Sequence, residues 1–197
     1  MDTTTRSGAE LLLQSAQRLF MRHGYPNVSM QAIAEEAGMT KGAPYYHFES
    51  KEELFYQVSL RILEELRQMI ATSLEGEGSL EDRVAASIET LIGISGDFSS
   101  WINDLKRSLG DDRKRCLVEA VGDGGGLAGL VMPQFTAAAE RGEFDRVSPE
   151  VASRIYFRLA MACADEASYL QMSGLLTPEW SCQTAREVAT VLVHGIA

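Results

Sequence analysis

The stretch Ser29-Met30-Gln31-Ala32-Ile33-Ala34-Glu35-Glu36-Ala37-Gly38-Met39-Thr40-Lys41-Gly42-Ala43-Pro44-Tyr45-Tyr46-His47-Phe48 reads as two short helices folded about a glycine. Ser29 is suited to N-cap the first, because a serine oxygen can accept from the open backbone N–H groups of a first turn. Met30, Ile33, Ala34 and Ala37 keep helical spacing and so share an inward face. Gly38 supplies the turn, since glycine alone enters the left-handed region without a steric penalty. Thr40 is the next capping residue, so Thr40 to His47 is expected as a helix of about 12 Å at about 1.5 Å per residue. A rod of that size fits a DNA major groove. Pro44 removes one donor near the start of this helix and predicts a slight irregularity there. Ser50-Lys51-Glu52-Glu53 then opens a third helix with a capping-box pattern, completing a helix-turn-helix layout.

Working outward, Ser7-Gly8-Ala9-Glu10 reads as another capping box, and Leu12, Leu13, Ala16, Leu19 and Phe20 form the inner stripe of a helix ending near Gly24. After Ser50, apolar residues at Leu54, Phe55, Val58, Ile62, Leu66 and Met69 carry a long helix past Ile70, until Glu75-Gly76-Glu77-Gly78 stops it. Further helices are expected from Ser79 to about Ser95, Ser99 to Leu109, Asp111 to Val121 and about Leu127 to Arg141. Ser148-Pro149-Glu150 and Thr177-Pro178-Glu179 each set a cap before a proline and an acid, predicting helices over Pro149–Met172 and Pro178–His194. No alternating strand pattern and no repeat is present. The fold class is therefore all-α, with an N-terminal helix-turn-helix domain at residues 1–56 and a C-terminal helical domain at 57–197. Gly122-Asp123-Gly124-Gly125-Gly126 lacks the flanking strand and Lys-Ser or Lys-Thr of a phosphate loop, and reads as a break between helices that can act as a hinge.

Composition adds weaker bounds. The 197 residues are 45% apolar and 23% charged, the balance of an ordinary globular protein. The start, Met1-Asp2-Thr3-Thr4-Thr5-Arg6, lacks the basic-then-apolar order of a secretion signal, and a cytoplasmic location is expected. Cys116, Cys163 and Cys182 are distant from one another in apolar surroundings, as reduced core thiols would be, and with His23, His47 and His194 they make no metal-ligand spacing. No metal, cofactor or catalytic residue is expected, and no Ser/His/Asp grouping suggests an enzyme. The net charge of −10 is unfavourable for a nucleic-acid binder. Residues 1–56 hold five basic side chains against seven acidic ones, so most of the excess lies in the remaining chain. Helix N-termini, with Lys41, Lys51 and Arg6 near them, offer phosphate a local positive surface, and acids beyond a Debye length of about 8 Å are screened.

Ala32-Ile33-Ala34, Ala37-Gly38, Thr40-Lys41-Gly42, Tyr45-Tyr46-His47-Phe48 and Lys51-Glu52-Glu53-Leu54, within Leu12 to Val58, resemble the TetR family of transcriptional repressors. Ala43-Pro44 departs from the family pattern, which more often has a small polar and an aliphatic residue there. The resemblance implies a ligand-responsive regulator, most simply a repressor, that binds a palindromic operator in double-stranded DNA as a homodimer. It implies that Lys41, Gly42 and Ala43 face the groove, Lys41 meeting guanine or phosphate. Ser29, Thr40, Tyr45, Tyr46, His47 and Lys51 would contact phosphate and sugar, with Gln31 reaching the backbone or a base edge. Phe48 belongs to the core.

Two readings concern the body. Val151, Ile155, Leu159, Ala162 and Tyr169-Leu170 on one terminal helix, with Ala185, Val188, Ala189, Leu192 and Val193 on the other, give apolar stripes that can pair across a two-fold axis as a four-helix interface. Pairing spaces two reading heads on a palindrome. A small, largely apolar effector would sit among Phe98, Trp101, Leu105, Leu109, Met132, Phe135, Tyr156 and Met161, with Asp165 a candidate partner for a cationic group. Its binding would tilt the helix from Glu52 to Ile70 and release the DNA. The competing readings are an all-helical protein-interaction adaptor and an enzyme, neither of which has a use for Lys41-Gly42 followed by Tyr45-Tyr46-His47-Phe48.

Overall fold

A computed structural model describes residues 7–120, 126–145 and 147–196. Arg6, Val121 and the glycine run at 122–125 lie outside the described residues. Ten α-helices occur among those described: α1 (Gly8–His23), α2 (Met30–Glu36), α3 (Ala43–His47), α4 (Lys51–Leu74), α5 (Leu80–Gly93), α6 (Ser95–Ser108), α7 (Asp111–Ala120), α8 (Met132–Glu140), α9 (Pro149–Met172) and α10 (Pro178–Ile196). No strand is present among them, and no helix is long and apolar enough to cross a membrane.

Capping residues fix several boundaries. Ser29 Oγ accepts from Ala32 N at 3.1 Å, Ser50 Oγ from Glu53 N at 3.0 Å and Ser148 Oγ from Val151 N at 3.3 Å. Pro149 and Pro178 stand at the first positions of α9 and α10, where a missing N–H leaves no hydrogen bond unmade. At the start of α1 only half of the expected box forms. Ser7 Oγ accepts from Glu10 N, while the Glu10 carboxylate takes Gln14 Nε2 at 2.8 Å and Arg61 Nη1 at 2.5 Å. The reciprocal box forms instead between Ser79 and Asp82. Two other boundaries differ from expectation. α6 begins at Ser95, and the segment before α8 is a 3-10 turn over Gly126–Val131.

The chain divides into two compact units, residues 1–62 with 100–117, and residues 63–99 with 118–197. The first has a core of Leu12, Ala16 and Phe20 from α1, Ile33 and Ala34 from α2, and Leu54, Phe55 and Val58 from α4. Phe20, Tyr25 and Phe55 pack ring against ring at centroid distances of 5.5, 5.3 and 4.4 Å. Ser100–Leu117 joins this unit although it follows α5 in the chain: Trp101 is buried and donates Nε1–H to Ser59 Oγ at 3.3 Å.

In the second unit, α9 packs through Ala152, Ala160, Ala164 and Ala167, small residues that allow close approach of neighbouring helices. Tyr156 fills the centre, donating to Ser87 Oγ at 2.9 Å, with Phe135 stacked against it at 5.5 Å. Ala185, Ala189 and Leu192 of α10 are buried, and α10 packs mainly on α5. Leu63, Leu66, Ile70 and Leu74, the later part of α4, are buried as well.

Candidate nucleic-acid interface

The helix pair is held by a two-bond turn. Met39 N donates to Ala34 O at 2.8 Å and Gly38 N to Glu35 O at 3.1 Å, with Gly38 at φ +68°, the left-handed glycine cap that satisfies the last carbonyls of α2. The second helix is shorter than its sequence pattern predicts. Thr40 does not cap it: Thr40 O accepts from Ala43 N at 2.9 Å in a turn, Gly42 takes the cap position and α3 runs over five residues. Pro44 is the cause, because it favours the first positions of a helix and so moves the start toward itself.

That shift sorts the side chains. Pro44 and Phe48 turn inward, while Tyr45 and Tyr46 stand 63% and 87% exposed. Lys41, Gly42, Thr40, His47, Ser29 and Gln31 are exposed too, and Ala43 is half-buried. His47 stacks edge-on against Tyr46 at 5.1 Å. The start of α1 approaches closely here, since a Cβ on Gly8 would lie 3.0 Å from His47 Nε2. Nearby acids are partly engaged: Gln31 Nε2 donates to Glu35 at 2.8 Å, and Arg18 pairs with Glu36 at 3.3 Å. The exposed side chains of α3 thus offer one cation, two phenols and an imidazole on one surface.

Lys51 sits differently from the others. It is half-buried, its Nζ donating to Pro26 O at 3.4 Å and lying 4.2 Å from the Tyr25 ring centroid. Burial pushes its ammonium below the ordinary lysine value, against the opposing pull of Asp104. The same Asp104 accepts the Tyr25 backbone N–H at 2.6 Å. Glu52 accepts from Gly110 N at 3.3 Å and Arg113 pairs with Glu53 at 2.5 Å. Hydrogen bonding from Gln57 and the Arg113 guanidinium hold the Glu53 carboxyl below its usual range, although burial acts the other way. Asp104, Gly110 and Arg113 therefore brace the reading head from residues about fifty to eighty positions later, a contribution with no local signature in the sequence.

The residues expected around an effector do not gather in one place. Trp101, Leu105 and Leu109 belong to the first unit, Trp101 and Leu109 buried and Leu105 half-buried. Phe98, Phe135 and Tyr156 are buried in the second unit, Met132 and Met161 are half-buried, and Asp165 is exposed on α9. No group of three or more His, Cys, Asp and Glu side chains that could hold a metal occurs among the described residues.

Two short helices bent at a glycine, with a polar and aromatic outer face and an apolar inner one, define a helix-turn-helix DNA-binding protein. Residues 12–58 match the model of the bacterial regulatory proteins of the tetR family, and through this segment the chain belongs to the TetR family. It is 28% identical over 123 residues to the transcriptional repressor KstR2 of Rhodococcus jostii, covering 60% of each chain. To the repressor DhaR of a Mycobacterium species it is 33% identical over 102 residues, covering 48% of this chain and 52% of the relative. The matched part thus spans little more than half of these relatives. A solved chain from Mesorhizobium loti, assigned to the TetR-family transcriptional regulators, superposes with a TM-score of 0.76 over 98% of both chains at 20% identity, a likeness of fold. Family and fold are those of transcriptional regulators, not of enzymes.

Proposed function

We propose that the protein is a DNA-binding transcriptional regulator, a repressor that holds a palindromic operator as a homodimer and is released by a small, largely apolar effector. The observation that carries this reading is the exposed face of α3, where Lys41, Tyr45, Tyr46 and His47 stand outward over a packed core. Large aromatic side chains so exposed gain nothing from folding, and their chemistry suits groove edges and phosphates. Ser29, Gln31, Thr40, Gly42 and Ala43 complete the contact surface. Lys51, with one donor on Pro26, keeps others for phosphate. The repressor sense follows the two curated relatives, both of which are named repressors.

A dimer is supported by α9 and α10. Val151 and Ile155 are 39% and 38% exposed, Tyr169 65% and Val191 69%, and Leu159 with Val188 and Val191 lines a shallow depression between the helices. Such a stripe is stabilised by a second copy of itself. In this reading residues 1–56 form the reader and residues 57–197 supply dimerisation and effector binding. The effector is taken up among apolar side chains of the second unit, where Met132 and Met161 adapt to its shape.

Fluorescence anisotropy with DNA from upstream of the protein's own gene tests the reading. Tyr46→Ala and Lys41→Ala are each expected to weaken binding by about 1–3 kcal/mol while leaving the circular dichroism spectrum unchanged. Affinity should also fall steeply with salt. Sequence-independent binding, or equal affinity of both variants and the parent, overturns it.

A further inference from the structure

A cavity of about 480 Å³ opens in the second unit, where the turn at 75–78 after α4 faces Gln134 and Ala137 of α8 and the side chain of Arg83. None of the residues expected around the effector lines it. Arg83 is only 7% exposed, and its donors are spent: Nη1 reaches Leu74 O at 2.9 Å and Nη2 pairs with Glu143. The second oxygen of Glu143 takes Arg141 Nε at 2.6 Å. Burial would raise the Glu143 carboxyl, yet hydrogen bonds from Arg141 and Arg83 hold it below the usual range, so this group is a charged, closed ion-pair triad.

Gln134 is the group left incomplete. It is 9% exposed, its Nε2 donates to Glu75 Oε1 at 3.4 Å, and its Oε1 is buried with no hydrogen-bond partner. A carboxylate only accepts, so Glu75 fixes which end of the amide faces it and leaves an acceptor unanswered. A buried acceptor without a donor is costly, and a group that donates to it removes that cost. The rim is acidic. Glu75 and Glu77 line the cavity, Glu140 lies beside Arg141, and the carbonyl end of α4, the negative end of a 24-residue helix dipole, stops at the same place.

We infer that this cavity binds a small organic cation, an alkylammonium or guanidinium compound whose N–H groups donate to Gln134 Oε1 while its charge is met by Glu75 and Glu77. The site is separate from the apolar effector region and from the DNA-reading face, and its test is independent of both. A ligand of this class supplies donors and positive charge together, which the cavity wall lacks. An anion would meet only guanidinium groups already committed to Glu143.

Agmatine and putrescine are the probes, with glutarate as the anionic control, titrated into the full-length protein by calorimetry and by ¹H–¹⁵N correlation spectroscopy. Agmatine or putrescine should saturate one site per chain and shift the Gln134 side-chain amide pair. Gln134→Leu, checked for unchanged melting, should lower affinity at least about tenfold, and the rim variant Glu77→Gln, which touches no core contact, should lower it severalfold. The inference is overturned if neither cation binds up to about 10 mM, if glutarate binds instead, or if both variants bind like the parent.

Discussion

Tyr156 and Gly38 show how differently single residues hold this fold. Tyr156 is fully buried, and its hydroxyl reaches Ser87 Oγ, which itself donates to Val84 O at 2.7 Å. Burial pushes the phenol far above its ordinary pKa, so it stays a neutral donor at any working pH. Tyr156→Phe should cost about 1 kcal/mol in urea unfolding, the worth of one hydrogen bond. Tyr156→Ala should cost about 3–5 kcal/mol, because a ring-sized cavity remains. At Gly38, by contrast, an added Cβ would meet no atom within 4 Å, and the constraint is the backbone angle of +68°. Gly38→Ala is therefore expected to destabilise by about 1–2 kcal/mol through conformation, and Gly38→Asn by less, as a thermal melt would register. Gly38 was legible in the sequence because its requirement is local. Tyr156 was visible only as an apolar-stripe residue, since its partner lies 69 positions away.

Among elements, those with caps were readable and those without were not. Ser29, Ser148 and Pro149 announce α2 and α9 because cap, proline and first turn are neighbours in sequence. α3 misleads for the opposite reason: Thr40 is a good capping residue in type, but Pro44 sets the start three residues later. The brace from α6 and α7 has no neighbouring signal either, since Asp104 reads as one more surface acid until the fold brings it to Tyr25. In α4 the pH response is tractable. Glu64 accepts from Arg67 at 2.7 and 2.8 Å and from Gln68 at 2.7 Å, which lowers its pKa from 4.5 to about 2. A depressed carboxyl stabilises the fold above its unfolded pKa, and that contribution disappears as pH falls from 4.5 toward 2. The pair is solvent-screened, so Glu64→Gln should cost under about 1 kcal/mol at neutral pH. Denaturant titrations of parent and variant should converge at about pH 2.

At the scale of the whole chain, the net charge of −10 did not suggest DNA, and family membership came from one segment covering residues 12–58. A local surface can oppose the total charge because screening shortens the reach of remote acids. If the outward stripe of α9 and α10 is a dimer face, Val191→Glu should convert the protein to a monomer by light scattering with its helix content intact. The buried side of α10 predicts the reverse. Ala189→Glu, at 0% exposure, should unfold the second unit instead of merely separating subunits.

The bond from Tyr25 to Asp104 also bears on protein engineering. Transplanting residues 1–62 onto a foreign scaffold would strip the acceptor from Tyr25, the indole from Ser59 and the guanidinium from Glu53. A working chimaera must therefore carry Ser100–Leu117 with it, so recombination at a single crossover after the third helix-turn-helix segment is the wrong cut for this molecule.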